Sequence, residues 1–260
     1  MRAISGLWVC LLLGLAVCGC HGAVSPEGRR FLAEAQSAYQ TGSDVRAIEA
    51  SSGFLRLHPR VEEAGEAYYI RGLARVRAGQ VEAGKADLCS ALSLTRRKDL
   101  VALARAKLGD LAYGAGDLTE AEKQYRAVLE QVPPGAPPAD QAMYRLGSIL
   151  QRKGQWREAD LLFRKVMYLF AGSELADRAG IRVGARRWSI QAGAFGAAGA
   201  EKLRQRLSGA GLDARIDLAL RDGRLMRLVR VGSYPTYDAA RADLGKVQKV
   251  IGEAFVTPAG

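Results

Sequence analysis

The chain has 260 residues, 48% of them hydrophobic and 25% charged, with a formal net charge of +11. That is enough for one large domain or two small ones with ordinary hydrophobic cores, and it excludes a fragment too small to bury one. The positive balance favours anionic partners without choosing among nucleic acid, acidic lipid and acidic polymer.

The N-terminus narrows the choice. Arg2 supplies a positive start, and 6–17, "GLWVCLLLGLAV", is apolar for about a dozen residues. That suits the core of a signal peptide and falls short of the roughly 20 residues a membrane span needs. The stretch ends in "VCGC", with Val17 three residues before Cys20 and Gly19 just before it. This resembles the lipobox of bacterial lipoproteins, which implies cleavage before Cys20 and a diacylglycerol anchor on its thiol. Cys18 is the poorer candidate, because bulky Val17 precedes it. The competing reading is an ordinary signal peptide with incidental cysteines, or an uncleaved anchor. His21, not Asp, follows Cys20. By resemblance to enterobacterial sorting this implies the outer membrane facing the periplasm, with the inner membrane as the alternative. An exported protein does not use its basic charge on nucleic acid. Once Cys10 and Cys18 leave and Cys20 is lipidated, Cys89 remains alone, so no intramolecular disulfide forms. Cys89 lies in the apolar helical run "DLCSALSL" and is expected to be a small core residue.

The next stretch repeats. Gly42, Gly79, Gly116 and Gly154 stand 37, 37 and 38 residues apart, each followed by similar small and apolar positions. A fixed period of this size means stacked supersecondary units. The pattern resembles tetratricopeptide repeats, whose period is about 34 residues. The match is best in Leu108-Gly109, Gly116, Ala121, Tyr125 and Pro133, and again in Leu146-Gly147, Gly154, Trp156, Ala159 and Phe163. Gly109, Ala121, Gly147 and Ala159 let two helices approach, while Tyr125 and Phe163 are expected to fill the space against the neighbouring unit. The extra residues lengthen linkers such as "PPGAPPAD", where Asp140 is expected to cap the next helix. The first unit is degenerate, with Ser51 at the aromatic position. Residues 172–187 carry helical spacing in Leu175, Ala179 and Val183, and predict an end helix running into a short basic linker. The alternative is a plain helical-hairpin bundle without a superhelical groove.

From Trp188 the period changes to 2. The pattern predicts a strand over 188–195, a helix over 197–208, a strand over 213–220 and a hairpin turn at "RDGR". A strand over 225–234, a helix over 237–250 and a closing strand at "EAFVT" follow. The order βαββαβ predicts a four-stranded antiparallel sheet with both helices on one face, a ferredoxin-like α+β unit. Alternation puts Trp188, Ile190 and Ala192 toward the helices and Ser189, Gln191 and Gly193 outward. It also turns Val229 and Val231 inward and Leu228, Arg230 and Gly232 outward.

"WSIQAGAF" and "LVRVGSY", each followed by a helix, resemble the SPOR (sporulation-related repeat) domain. The resemblance implies a non-catalytic module that binds peptidoglycan whose glycan strands have lost their stem peptides, as at the division septum. Gln191, Ser189, Gly193, Arg230, Leu228 and Arg227 are the candidate glycan-binding residues. Gln191 and Arg230 suit sugar hydroxyl, acetamido and carboxylate groups, and small residues let sugar rings come close. The sequence departs from the family pattern at Leu228, where a first arginine is common, and at Ser233, where proline is common. Arg227 or Arg224 is expected to compensate.

The resulting division is a lipoprotein signal peptide at 1–19, a tether at 20–29 and about four tetratricopeptide-like units at 30–171. An end helix and linker at 172–186 and a SPOR domain at 187–258 complete it. The expected partners are peptidoglycan glycan strands, a protein in the repeat groove, and the membrane through the lipid anchor at Cys20. Neither nucleic acid nor a cofactor or metal is expected. An RNA-recognition motif shares the βαββαβ plan, but it needs two or three exposed aromatics on its central strands, and Phe195 and Tyr234 fall at strand ends. No Ser/His/Asp set, zinc spacing or phosphate loop points to a hydrolase. The alternative function is an envelope-assembly scaffold that does not bind glycan.

Overall fold

The computed structural model describes residues 23–221 and 224–259. The signal-like stretch and Cys20 lie outside them. Among the described residues, the first part is helical: α1 (Pro26–Gln40), α2 (Asp44–Leu57), α3 (Ala64–Arg77), α4 (Val81–Leu94), α5 (Lys98–Ala115), α6 (Leu118–Gln131), α7 (Ala139–Arg152), α8 (Trp156–Leu169) and α9 (Glu174–Gly180). Consecutive helices pack as hairpins, and the hairpins stack. Each hairpin turns on one of the repeating glycines. Gly42, Gly79, Gly116 and Gly154 have φ of 82°, 82°, 82° and 76°, a left-handed conformation that stops one helix and lets the chain reverse. No helix among the described residues is long and apolar enough to cross a membrane.

Inside three of the four hairpins a ring meets bare backbone. A Cβ on Gly109 would lie 2.9 Å from Cε1 of Tyr125, and one on Gly147 would lie 2.8 Å from Cε1 of Phe163. Both rings therefore sit on the first helix of their own hairpin. The first hairpin inverts the arrangement. Ser51 is fully buried where an aromatic was expected. Phe31 of α1 supplies the ring instead, packing on Gly53 of α2. In the second hairpin the two backbones approach at Gly72 and Gly84, and Asp87 takes Arg71 and Arg75 at 2.7 to 2.9 Å. From α5 to α9 one core runs through Tyr125, Leu146, Ile149, Leu150, Phe163 and Val166.

Two local expectations are corrected. Cys89 is exposed. The buried stripe of α4 is Gly84, Asp87, Leu88 and Ala91, and position 89 lies off it. Asp140 does not cap α7. The helix begins one residue earlier, after Pro138, and Asp140 falls in its first turn, where a carboxylate still favours the helix N-terminus. The end helix α9 is shorter than the stretch 172–187, and the segment after it is bonded to the array. Gln151, fully buried on α7, donates to the Arg182 carbonyl at 3.0 Å and accepts from its guanidinium at 2.9 Å. Asp160 on α8 accepts the Gly184 N–H at 3.1 Å and pairs with Arg186 at 2.9 Å.

The last part is β1 (Arg187–Phe195), α10 (Ala197–Gly209), β2 (Ala214–Arg221), β3 (Arg224–Tyr234), α11 (Tyr237–Ile251) and β4 (Phe255–Ala259). The sheet order is β2-β3-β1-β4, with all pairs antiparallel. Both helices cover one face over a core of Ile190, Ala200, Leu207, Val229, Val231 and Val247. This is the βαββαβ unit that the change of period predicts.

Candidate functional site

The face of the sheet away from α10 and α11 is built by register. Gln191 stands between Arg230 of β3 and Phe255 of β4, and Ser189 stands beside Thr257. Both point away from the helices, as alternation requires, but only 5% of Gln191 and none of Ser189 is exposed. Each is a short or medium side chain in a central strand, shielded by the longer residues that flank it. Leu228, registered with Ala194 and Asp217, is equally covered, at 3%. The side chains that reach solvent on this face are others: Arg215, Asp217, Phe255 and Arg187. Arg230 is mostly covered, its side chain 12% exposed.

Two candidates lie elsewhere. A register shift between Gln191 and Gly193 places Gly193 opposite Val229, on the helix side. The extra residue of a bulge reverses the alternation beyond it. The Phe195 ring folds over the bare backbone there, and a Cβ on Gly193 would clash with it. Arg227 is registered with Phe195 on one side and Leu218 on the other, on the face opposite Arg230. It cannot replace the arginine missing at Leu228, because residues one apart on a strand face opposite ways. Cys20 lies outside the described residues.

Arg215 and Asp217 were the residues that sequence reasoning passed over, and the signal was present. In the register of β2 and β3 Arg221 opposes Arg224, and each earlier residue of β2 is assigned a partner. That register sets Arg215 against Arg230 and Asp217 against Leu228. Asp217 reaches both guanidinium groups, 3.3 Å from Arg215 Nε and 3.3 Å from Arg230 Nε. Arg187 donates to the hydroxyl of Ser233 at 2.7 Å, so the residue that replaces proline there orients a third arginine. On the helix side, burial and the neighbouring Asp243 push the Tyr234 hydroxyl up to about 12, which keeps it a neutral donor to that carboxylate.

The sheet unit meets the array through aromatic rings. Trp188 is 2% exposed and lies 5.6 Å from the Trp156 ring of α8 and 5.1 Å from Tyr237 at the start of α11. Arg152 of α7 sits over the Tyr237 ring at 4.4 Å. Trp188 thus packs at the junction with the array rather than in the core cluster of its own unit.

The first helices of the hairpins line a second feature. Tyr39, Tyr69, Ile70, Leu73, Leu100 and Leu103 bound a groove of about 300 Å³ across α1, α3 and α5. Burial, and the nearby Tyr39, push the Tyr69 hydroxyl up to about 12, so it too stays neutral. Arg97 closes the rim through Glu66 at 3.0 Å and Asp99 at 2.8 Å.

Stacked helical hairpins with an apolar groove, joined to a small sheet with one face clear of helices, define a two-part binding protein. The second part is a SPOR domain: residues 184–258 match that family, and residues 141–173 match a tetratricopeptide repeat. Both are binding modules without catalytic chemistry of their own. Together they support a protein that binds peptidoglycan through one part and another protein through the other. A tetratricopeptide repeat protein from Parabacteroides merdae is 18% identical at a TM-score of 0.51, over 61% of this chain and 59% of that one. MamA from Desulfovibrio magneticus RS-1, from residue 41 to its end, is 17% identical at 0.50, over 62% and 85%. The apo quorum sensor NprR from B. thuringiensis is 14% identical at 0.53, over 59% and 47%. At these identities the likeness shows the helical-repeat fold alone. No curated protein matches the chain.

Proposed function

We propose that this is a lipid-anchored envelope protein whose SPOR domain holds denuded glycan strands at the division septum while its repeat groove holds a protein partner. The observation that carries the glycan reading is the outer sheet face, where Arg215, Arg230, Gln191 and Phe255 form one cross-strand row, with Arg187 farther along β1, on strands matched by the SPOR family. Guanidinium forks bind carboxylate and hydroxyl oxygens, and an exposed ring stacks on the apolar face of a sugar. The anchor at Cys20 rests on the lipobox-like "VCGC", and the place in the outer membrane rests on His21 after it. The chain acts by tethering, not by catalysis.

Retention of the chain from residue 23 on amidase-treated and on intact sacculi tests the reading. Preferential retention on the treated material is expected, and no binding or no preference defeats it. The burial of Gln191 and Ser189 favours a second reading, a scaffold that has lost glycan binding, and the same assay separates the two. For the anchor, Cys20→Ala is expected to abolish acyl labelling and release the protein from the membrane fraction.

A further inference from the structure

We propose that Asp217 is an internal stand-in for a ligand carboxylate, and that Arg215 and Arg230 form a clamp which an acidic sugar enters by displacing it. The inference rests on the glycan reading above and names the chemistry of its site.

The hairpin register forces Arg215 and Arg230 to face each other, and like charges directly opposed on a sheet repel. Asp217, two residues along β2, offers one negative charge to two positive ones. It does so loosely. Both contacts are 3.3 Å, whereas charge-assisted bonds between guanidinium and carboxylate run at about 2.7–2.9 Å. Asp87 shows what a structural version looks like in the same chain. It meets Arg71 and Arg75 at 2.7, 2.9 and 2.8 Å, and its side chain is 5% exposed. The Asp217 side chain is 35% exposed, so a carboxylate from solvent can reach the place it occupies.

The arginines do not depend on Asp217 for their position. Arg215 Nη1 donates to the Gly232 carbonyl at 2.8 Å, and Arg230 Nη1 points at the Pro258 carbonyl at 3.5 Å. Displacing Asp217 therefore leaves a clamp already in place, and preorganisation of this kind favours binding. The ligand it fits is a sugar with a free carboxylate, such as the lactyl group of N-acetylmuramic acid. Where a stem peptide is attached, that group is a neutral amide and cannot replace Asp217. Asp217 thus sets a threshold that only an anionic sugar passes, which gives a physical basis for preferring denuded strands.

The test titrates N-acetylmuramic acid, and separately its methylamide, into the chain from residue 23 and into Asp217→Asn, following amide shifts of β2 and β3. Asp217→Asn is expected to bind the acid roughly tenfold tighter, the equivalent of about 1.4 kcal/mol, with no gain for the methylamide. Asp217→Ser should behave the same way, which guards against an effect of the new amide or a fold defect in one variant. Adding Arg215→Ala should remove the gain. Unchanged or weaker binding of the acid by both variants, or an equal gain for the methylamide, overturns the clamp. Failure on sacculi together with a gain on the acid defeats the septal reading alone. Retention on sacculi without the gain defeats the clamp alone.

Discussion

A methyl group at Gly109 would meet the Tyr125 ring, whereas one at Gly114, in the same helix, has nothing within 4 Å. Gly109→Ala is therefore expected to cost about 1–3 kcal/mol by overpacking, and Gly114→Ala to gain up to about 1 kcal/mol from helix propensity. Opposite shifts in thermal midpoint check the pair. Cys89 offers a second check. An exposed thiol should react with a maleimide as fast in the native chain as in denaturant, and slow native labelling would show that α4 is packed differently. At this scale the sequence was half legible. Alternation reads the direction of Gln191, but its burial depends on the lengths of Arg230 and Phe255, which belong to other strands. Gly193 defeats alternation outright, because the register shift beside it leaves no mark in a stretch as bland as "QAGAF".

Elements are joined by ion pairs whose worth varies with burial. Glu122 on α6 links to Lys153 at 2.6 Å, past the end of α7, and to Arg126 at 2.9 Å. Burial raises its carboxyl, but the two cations outweigh burial and hold it below the usual range. A lowered folded value means the contribution is complete above the unfolded carboxyl's range and is lost as pH falls through the folded one. Glu122→Gln should therefore lower stability at neutral pH by about 0.2–1 kcal/mol and converge with the parent in acid, as followed by urea midpoints. At Asp87, nearly buried between two arginines, Asp87→Ala should cost about 3–5 kcal/mol, measured the same way. The hairpins themselves were plain in the sequence, because one glycine per unit must adopt a left-handed turn and its spacing shows. The capture of the segment after α9 was not, since it is set by side chains of α7 and α8.

The described residues form two parts with one covalent crossing between them, at 181–186. Rings of both parts pack across it, so removing one should loosen the pair without unfolding either. Trp156→Ala is expected to expose 181–186 to protease and split a single thermal transition in two, while leaving glycan retention unchanged. A single transition and an uncut segment would show that the bonds of Gln151 and Asp160 hold the crossing alone. The repeat spacing and the change of period at Trp188 announced two parts and their order, but not this contact, because Trp156 and Trp188 each look like residues of their own unit.

That contact changes what the repeats are for. At the other end of the array, His58 accepts the Ser25 N–H at 3.1 Å, so the chain is gripped almost as soon as it enters α1. Between Ser25 and Trp188 the path runs through packed helices. In the tether proposed above, with lipid at one end and wall at the other, such a body would act as a ruler whose span is counted in hairpins, and tension on the wall would cross the Trp156 ring contact and the Asp160 bonds.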